Sequence, residues 1–216
     1  MVVFAQLDAE APGRAIDEQI AYFQKLGQNF EWKVYDFDSP STLKDLLAQR
    51  GFEPSDNEAF LVLKAAEWKP IGQEVPGLRI EKLTERRQLR DFVAAEEEIW
   101  SEDFSWHLEK YARDLEADSN GISIYCAYVE DIPVGTGRIS FPSGSSFAEL
   151  NGGGVVSRMR GRGIFSALLS RRIEEAKARG YEWLAVDAAP MSRPILLQKG
   201  FQHVCWTYPM LRPKAK

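Results

Sequence analysis

The sequence predicts an α/β protein of the α+β kind, in which helices flank a mixed, mostly antiparallel sheet. Three observations predict it. β-rich runs separated by turn residues occupy 122–156, a helical pattern follows at 164–179, and strand and helix patterns then alternate to about residue 211. The 216 residues include 44% hydrophobic residues and 12 Phe, which is enough for a buried core.

The N-terminal part of the chain is predicted as a smaller β-α-β region, 1–76, followed by a main domain at 77–216. Its patterns are, in order, a helix at 13–26, a strand at 30–37, a helix at 41–50 and a strand at 59–64. Pro70, Gly72, Pro76 and Gly77 interrupt any regular pattern, so we place a linker at 66–77.

The two ends of the chain contain a similar pattern. Phe30-Glu31-Trp32 precedes a helix that ends at Gly51-Phe52, and Tyr181-Glu182-Trp183 precedes one that ends at Gly200-Phe201. The Trp-to-Gly separation is 19 residues in the first and 17 in the second. A repeated unit is one interpretation. The other is coincidence, because Gly after a helix is ordinary helix-stop chemistry.

The centre of the chain predicts a β-meander. Strand patterns at 122–129 and 134–141 surround a short turn, and a third strand pattern covers 147–156. Three consecutive glycines, 152–154, lie inside the third strand. Glycine within a strand indicates a β-bulge or a close approach by another group, so we predict a bulge; the alternative is a flexible loop.

The meander leads into a predicted anion-binding loop. Gly161 and Gly163 can take positive φ and lack a Cβ, so successive amide N–H groups can converge on a phosphate. An amphipathic helix begins at once and adds its unpaired N-terminal amides. We expect its charged residues, including Arg172 and Glu175, to face outward. A dinucleotide-binding motif would need glycine at Ser166, and the Gly-Lys-Ser/Thr of a P-loop is absent.

From about Leu78 onward the chain resembles the GNAT superfamily of acetyl-CoA-dependent N-acetyltransferases. The family's motif, Gln/Arg-x-x-Gly-x-Gly/Ala, falls on 160–165, with Phe165 in place of the final Gly or Ala. The resemblance implies that acetyl-CoA is the cofactor and that it is bound by residues of this loop, of the strand before it and of a later helix. These are Val155, Val156, Ser157, Arg160, Gly161, Arg162, Gly163, Ile164, Phe165, Ser166 and Ser192.

The resemblance also implies a catalytic base. Glu149 lies in Phe-Ala-Glu-Leu, 11 residues before Arg160, where related histone acetyltransferases have their catalytic glutamate. The alternative is that Glu149 is a solvated or substrate-orienting strand carboxylate. The tyrosine that often acts as general acid in the family is missing, because alignment on Gly200-Phe201 places Leu196 there.

The acceptor site is expected between two predicted helices in 89–118. In the superfamily this junction lines the acceptor site, and here Trp100, Glu102, Phe104 and Trp106 could hold a cationic amine. The alternative is a solvated acidic helix with core aromatics, which we favour for Glu96, Glu97 and Glu98. The expected acceptor is a primary amine on a small molecule.

Several arginines surround the predicted loop. Arg158, Arg160 and Arg162, with Arg171 and Arg172 on the helix, form a positive cluster that would suit the phosphates of CoA. Ordinary solvated helix charge is an equally good interpretation for Arg171 and Arg172. The net charge of −5 argues against a nucleic-acid partner.

Other features narrow the choice of function. Cys126 and Cys205 are expected as free thiols, and His107 and His203 stand too far apart to indicate a metal site. No run approaches the roughly 20 apolar residues of a membrane span, and the first residues lack the pattern of a signal peptide, so we expect a cytoplasmic protein. A homodimer is left open. A non-catalytic acyl-CoA-sensing or partner-binding module is the alternative to an enzyme.

Overall fold

The computed structural model describes residues 1–3, 5–7, 11–69 and 75–213. The strands are β1 (Val2–Val3), β2 (Phe30–Tyr35), β3 (Glu53–Pro54), β4 (Glu58–Lys64), β5 (Leu78–Leu83), β6 (Ile122–Val129), β7 (Ile132–Ser140), β8 (Phe147–Val155), β9 (Trp183–Ala188) and β10 (Gln202–Arg212). The helices are α1 (Pro12–Lys25), α2 (Leu43–Ala48), α3 (Leu89–Trp100), α4 (His107–Ala117), α5 (Ile164–Ala178) and α6 (Arg193–Gln198). Within the described residues, no helix has the length and apolar character needed to cross a membrane.

The chain forms two compact units, and one of them comprises Leu63–Val186. Its strands lie in the order β9-β8-β7-β6-β5. The pairs β5–β6, β6–β7 and β7–β8 are antiparallel, while β8 and β9 are parallel. The predicted mixed, mostly antiparallel sheet flanked by helices is therefore confirmed, and the meander of β6, β7 and β8 lies where the sequence indicates it.

Helices cover both faces of this sheet. On one face, a Cβ added to Gly154 would come within 2.8 Å of Ile99 Cγ2 in α3. On the other face, a Cβ added to Gly135 would come within 3.0 Å of Leu168 Cδ1 in α5. α3 and α5 therefore approach opposite faces closely, and glycine provides the space on each side.

The second compact unit comprises Met1–Val62 and Asp187–Lys216. β2 pairs with β1 in parallel and with β10 antiparallel, and β10 also pairs with β3 and β4. Ile16, Trp32 and Leu47 are buried in its core. Residues 30–64 do form strand, helix and strand, as the sequence indicates. The boundary at 76 stays a prediction. The interpretation of the similar patterns as a repeated unit also stays one; with the resemblance to acetyltransferases, it implies that 1–76 is a degenerate second acetyltransferase half.

Two residues predicted to face outward from α5 do not. Arg172 is 2% exposed, and its guanidinium donates to the carbonyl oxygens of Leu168 at 3.1 Å and Arg138 at 3.2 Å. Gly137 provides the space, since a Cβ there would come within 2.8 Å of Arg172 Cζ. The helical pattern alone assigns any arginine to the polar face, so the prediction was wrong where a glycine in the sheet makes room for a guanidinium.

Glu175 is the second inward residue, and it joins α5 to the sheet. Its carboxylate accepts hydrogen bonds from Lys82 Nζ at 2.7 Å, Tyr125 Oη at 2.5 Å, Arg179 Nη2 at 2.6 Å and Ser123 Oγ at 3.0 Å. Burial alone would raise the pKa of Glu175. The hydrogen bonds from these four side chains outweigh burial and lower the pKa to about 2.

We expect Glu175→Gln to lower the free energy of unfolding at pH 7 by about 2 kcal/mol, because several hydrogen bonds to a charged acceptor are weakened. The native carboxylate has a lower pKa than its ordinary 4.5, so its contribution is complete above that pH and is lost as the pH falls toward 2. The variant should lack this acid-sensitive component in urea titrations at pH 7 and below pH 4. Glu174→Gln, at an exposed neighbouring position, is the control. Equal unfolding curves for the two variants would contradict the prediction.

Candidate functional site

A β-bulge lies in β8 ahead of the predicted anion-binding loop. Thr136 pairs with Gly154 and Arg138 pairs with Asn151, so two residues advance on β7 while three advance on β8. Gly152 lies in the segment of β8 that contains the additional residue, and it has φ +55°. The predicted bulge is confirmed. It places Gly152 and Asn151 on the same face of the sheet, next to Arg138.

β8 also separates from β9 at this position. Their parallel pairing covers Phe147 with Trp183 through Glu149 with Ala185. Beyond Glu149, no described residue pairs with this edge of β8. The backbone edge next to the bulge is therefore available for hydrogen bonds with an extended ligand.

The loop after β8 has the geometry predicted for an anion site. Gly161 has φ +76° and Gly163 has φ +86°, and α5 starts directly afterwards at Ile164. The first amide of this segment with a backbone partner is that of Ala167, which donates to Gly163 O at 3.0 Å. Among the described residues, none accepts a hydrogen bond from the six consecutive N–H groups of 161–166. A phosphate can therefore receive several of them together.

The arginine side chains around this loop differ in whether they already have a partner within the protein. Arg160 Nε donates to Val155 O at 3.1 Å, while Arg158 forms an ion pair with Glu98 at 3.0 Å. Arg162 and Arg171 are exposed. Arg172 is buried and does not reach the loop surface. Of the five arginines predicted as a positive cluster, Arg160, Arg162 and Arg171 are exposed and form no ion pair with a described residue.

The strand residues predicted to contact the cofactor are placed as follows. Val155 and Val156 are buried, and the Val156 N–H donates to Val134 O at 3.0 Å, so this amide is already used. Ser157 is exposed at the start of a short 3₁₀ turn. Ser192 belongs to the other compact unit, where its hydroxyl donates to Ala189 O at 3.2 Å. Its cofactor contact stays a prediction.

Glu149 is exposed in β8, opposite Ser140 of β7. Residues directly opposite in a sheet share a face, as do alternate residues of a strand. Glu149, Ser140 and Asn151 therefore share the face that carries Arg138, whose guanidinium lies over the Tyr111 ring of α4. The candidate base faces the same side of the sheet as α3 and α4.

The predicted acceptor residues lie at the junction of α3 and α4. α3 ends at Trp100, where Ser101 takes the left-handed conformation with φ +56°. Trp100 is 46% exposed and Trp106 is 59% exposed. Phe104 stacks on His107 with ring centroids 4.8 Å apart, and Glu102 is exposed. The junction therefore presents two exposed indole rings and an exposed carboxylate.

A buried polar cluster underneath this junction was missed by the sequence reasoning. Glu96 is 2% exposed, its Oε2 lies 2.8 Å from His107 Nδ1, and Tyr111 Oη donates to its Oε1 at 3.3 Å. The interpretation of Glu96 as a solvated helix charge was wrong. The signal was available, because Glu96 falls at helical spacing between the buried Phe92 and Ile99.

Comparison with known families identifies one match. Residues 87–192 match the model of the acetyltransferase (GNAT) family. This range contains the junction of α3 and α4, the bulged strand β8 and the predicted anion-binding loop. No curated protein sequence matches the chain.

Solved structures share the fold. A GCN5-related N-acetyltransferase from Kribbella flavida has a TM-score of 0.69 at 12% identity, over 99% of this chain and 79% of its own. A functionally unknown conserved protein from Staphylococcus epidermidis has a TM-score of 0.71 at 14% identity. The match covers 99% of this chain and 84% of that protein. A tandem GNAT protein from the clavulanic acid biosynthesis pathway has a TM-score of 0.64 at 14% identity. The match covers 94% of this chain and 70% of that protein. At such identities the likeness establishes the fold.

We expect Gly161→Ala to weaken CoA binding on the order of tenfold, because a methyl group would occupy the side of the loop that a phosphate approaches. Gly144→Ala is a matched control. Gly144 has φ +74° against +76° at Gly161, and an added Cβ meets no heavy atom of the described residues within 4 Å at either position. Both variants should lose about 1 kcal/mol of stability from the left-handed backbone. Calorimetric titration with CoA measures the difference, and equal affinities for the two variants would contradict the assignment.

Proposed function

We propose that this chain, whose residues 87–192 match the model of the GNAT acetyltransferase family, transfers an acetyl group from acetyl-CoA to a primary amine of a small molecule. The transfer is direct, with Glu149 as the base. The observation that carries the proposal is the run of six amide N–H groups at 161–166 that lack an acceptor among the described residues, at the end of a strand that presents an exposed carboxylate.

The loop suits a diphosphate for two reasons. The amides of 161–166 and the positive end of the α5 dipole favour negative charge, and their donors are fixed by the backbone. Phe165 does not obstruct this arrangement. Its ring extends toward the bulge, where a Cβ added to Gly153 would come within 3.3 Å of Phe165 Cε2. The larger side chain is therefore accommodated by a glycine on β8, and its own N–H stays in the loop.

Acetyl transfer to an amine requires a base that removes a proton from the nitrogen, and we assign this role to Glu149. An amine with an ordinary pKa of about 10.4 costs roughly 4.6 kcal/mol to neutralise at pH 7. Glu149 accepts this proton, directly or through one water. The neutral nitrogen then attacks the thioester carbonyl carbon, the C–N bond forms as the C–S bond breaks, and a proton from the nitrogen ends on the sulfur. Acetyl-CoA supplies the activated acetyl group.

The thiolate can leave without the tyrosine acid that the family often has at the position of Leu196. Leu196 is buried in α6, where the resemblance would place a tyrosine. A thiol has an ordinary pKa of about 8.5, so its thiolate is a far better leaving group than an alkoxide. The missing tyrosine also motivates the alternative function, an acyl-CoA sensor without turnover. Release of free thiol on addition of amines distinguishes an enzyme from a sensor.

The exposed rings at the end of α3 suit a cationic acceptor. Trp100 and Trp106 can contact an ammonium group through their faces, and Glu102 adds negative charge at the same junction. Phe104 is held by stacking on His107 and contributes a fixed apolar wall. We assign these residues to binding of the acceptor, and we assign Glu149 to its reaction as the base.

We expect Glu149→Gln to lower kcat for amine acetylation by about 100-fold, the usual contribution of a general base. The affinity for acetyl-CoA should not change, because Glu149 is not in the loop at 161–166. Raising the pH should partly restore the activity of the variant, since more of the amine is then neutral without a base. Thiol release measured from pH 7 to 10, with calorimetric titration of acetyl-CoA, tests both expectations.

Glu116→Gln provides a control for that experiment. Glu116 is an exposed glutamate on α4, so the substitution makes the same change in charge outside the proposed site. It should retain normal turnover and a normal pH profile. If Glu149→Gln behaves like Glu116→Gln, Glu149 is not the base.

A further inference from the structure

Arg138 of β7 has a guanidinium that forms no ion pair with any described residue. It lies over the Tyr111 ring, 4.8 Å from the centroid, and its Nε is buried without a hydrogen-bond acceptor. In the part of the chain that the structure describes, no carboxylate is within ion-pair distance of it. Arg138 is half-buried, and a buried donor such as its Nε normally has a partner.

A second guanidinium adds to this excess of positive charge. Arg172 lies on the opposite face of the sheet, and its Nη1 donates to the carbonyl oxygens of Arg138 at 3.2 Å and Asn151 at 3.4 Å. These are neutral acceptors. Burial, together with the charge of Arg138, lowers the pKa of Arg172 to about 10, so it still carries its charge at pH 7. Two cations therefore adjoin the bulge, and neither forms an ion pair with a described carboxylate.

Glu96, which shares the contact with Tyr111, is already engaged by other side chains. Glu96 is held by His107 at 2.8 Å and by Tyr111 at 3.3 Å, and Tyr111 turns its ring face, not its hydroxyl, toward Arg138. The guanidinium lies against Gly152 on its other side, where a Cβ would come within 2.9 Å of Nη2. Glycine thus keeps Arg138 next to the bulge.

The location of Arg138 relative to Glu149 limits what its anion can be. Arg138 is opposite Asn151, and Glu149 is two residues along the same strand on the same face. Diagonal neighbours of this kind are about 7–8 Å apart. The phosphates of CoA are assigned to the loop at 161–166, beyond the far end of β8. An anion at Arg138 therefore belongs to the acceptor.

We propose that Arg138 binds a carboxylate of the acceptor, so that the substrate is a small amine that also carries a carboxylate, such as an amino acid. This inference rests on the proposed function. Arginine suits the role because its planar guanidinium donates two parallel hydrogen bonds to a carboxylate. With the carboxylate fixed at Arg138, the amine of the same small molecule is directed toward Glu149.

Matched acceptors test the proposal. Each set contains an amino acid, its amide and the corresponding decarboxylated amine, and thiol release from acetyl-CoA gives kcat/KM for each member. The amino acids should exceed their amides by at least about tenfold, as expected for a charge-assisted hydrogen bond. Amides or decarboxylated amines that react as well as the acids would overturn the inference and leave the proposed function intact. No thiol release with any amine would count against the proposed function.

Variants of Arg138 connect the preference to the residue. Arg138→Gln should reduce the ratio of amino acid to amide toward 1, while Arg138→Lys should retain part of it because the charge remains. The affinity for acetyl-CoA should stay unchanged in both. Arg113→Gln, at an exposed position of α4, removes one positive charge elsewhere and should leave the ratio as in the natural protein. An unchanged ratio in Arg138→Gln would refute the assignment.

A binding measurement tests the same proposal without turnover. The full chain saturated with CoA is titrated calorimetrically with an amino acid and with its amide. The amino acid should bind at least about tenfold more tightly, and Arg138→Gln should remove the difference. Equal binding of acid and amide by the natural protein would overturn the inference whether or not acetyl transfer is observed.

Discussion

The extra residue in β8 is the constraint on which the candidate site depends. Between its pairs with Arg138 and Thr136, this strand contains Gly152 and Gly153, and a Cβ at either position would crowd a neighbouring side chain. A Cβ on Gly152 would meet the guanidinium of Arg138, and a Cβ on Gly153 would meet Arg172 and Phe165. The glycines of the bulge therefore give space to a cation on each face of the sheet and to the aromatic ring at the start of α5. Other residues at these two positions would require these side chains to shift.

The same strand arranges the two halves of the proposed chemistry. Its pairing with β9 ends at Glu149, and it then leads through Val155 into the loop at 161–166, whose amides have no acceptor among the described residues. The carboxylate and the loop thus lie at opposite ends of a single bulged segment. Because a strand advances about 3.3 Å per residue, an extended ligand can place its phosphates and its reactive end at these two positions.

The sequence predicted the features whose chemistry is local. The meander follows from alternation and turn residues, the left-handed turn before α5 from Gly161 and Gly163, and the bulge from three glycines in a strand. It did not predict the features whose partners are distant. Arg172 is buried because of Gly137 and carbonyl groups up to 34 residues away, and the helical period alone assigned it to solvent. Nothing in the sequence pattern indicated a role for Arg138 in the site, since an arginine in a strand ordinarily faces water.

The two sets of charge at the site favour a single substrate class. Glu102 and the indole rings of Trp100 and Trp106 favour an ammonium group, whereas Arg138 favours a carboxylate. These preferences conflict for a simple amine, which would be attracted by the first set and repelled by the second. They agree for a molecule that carries both groups, because each charge then meets its opposite. A zwitterion is also costly to remove from water, so only a site with both partners can bind it tightly.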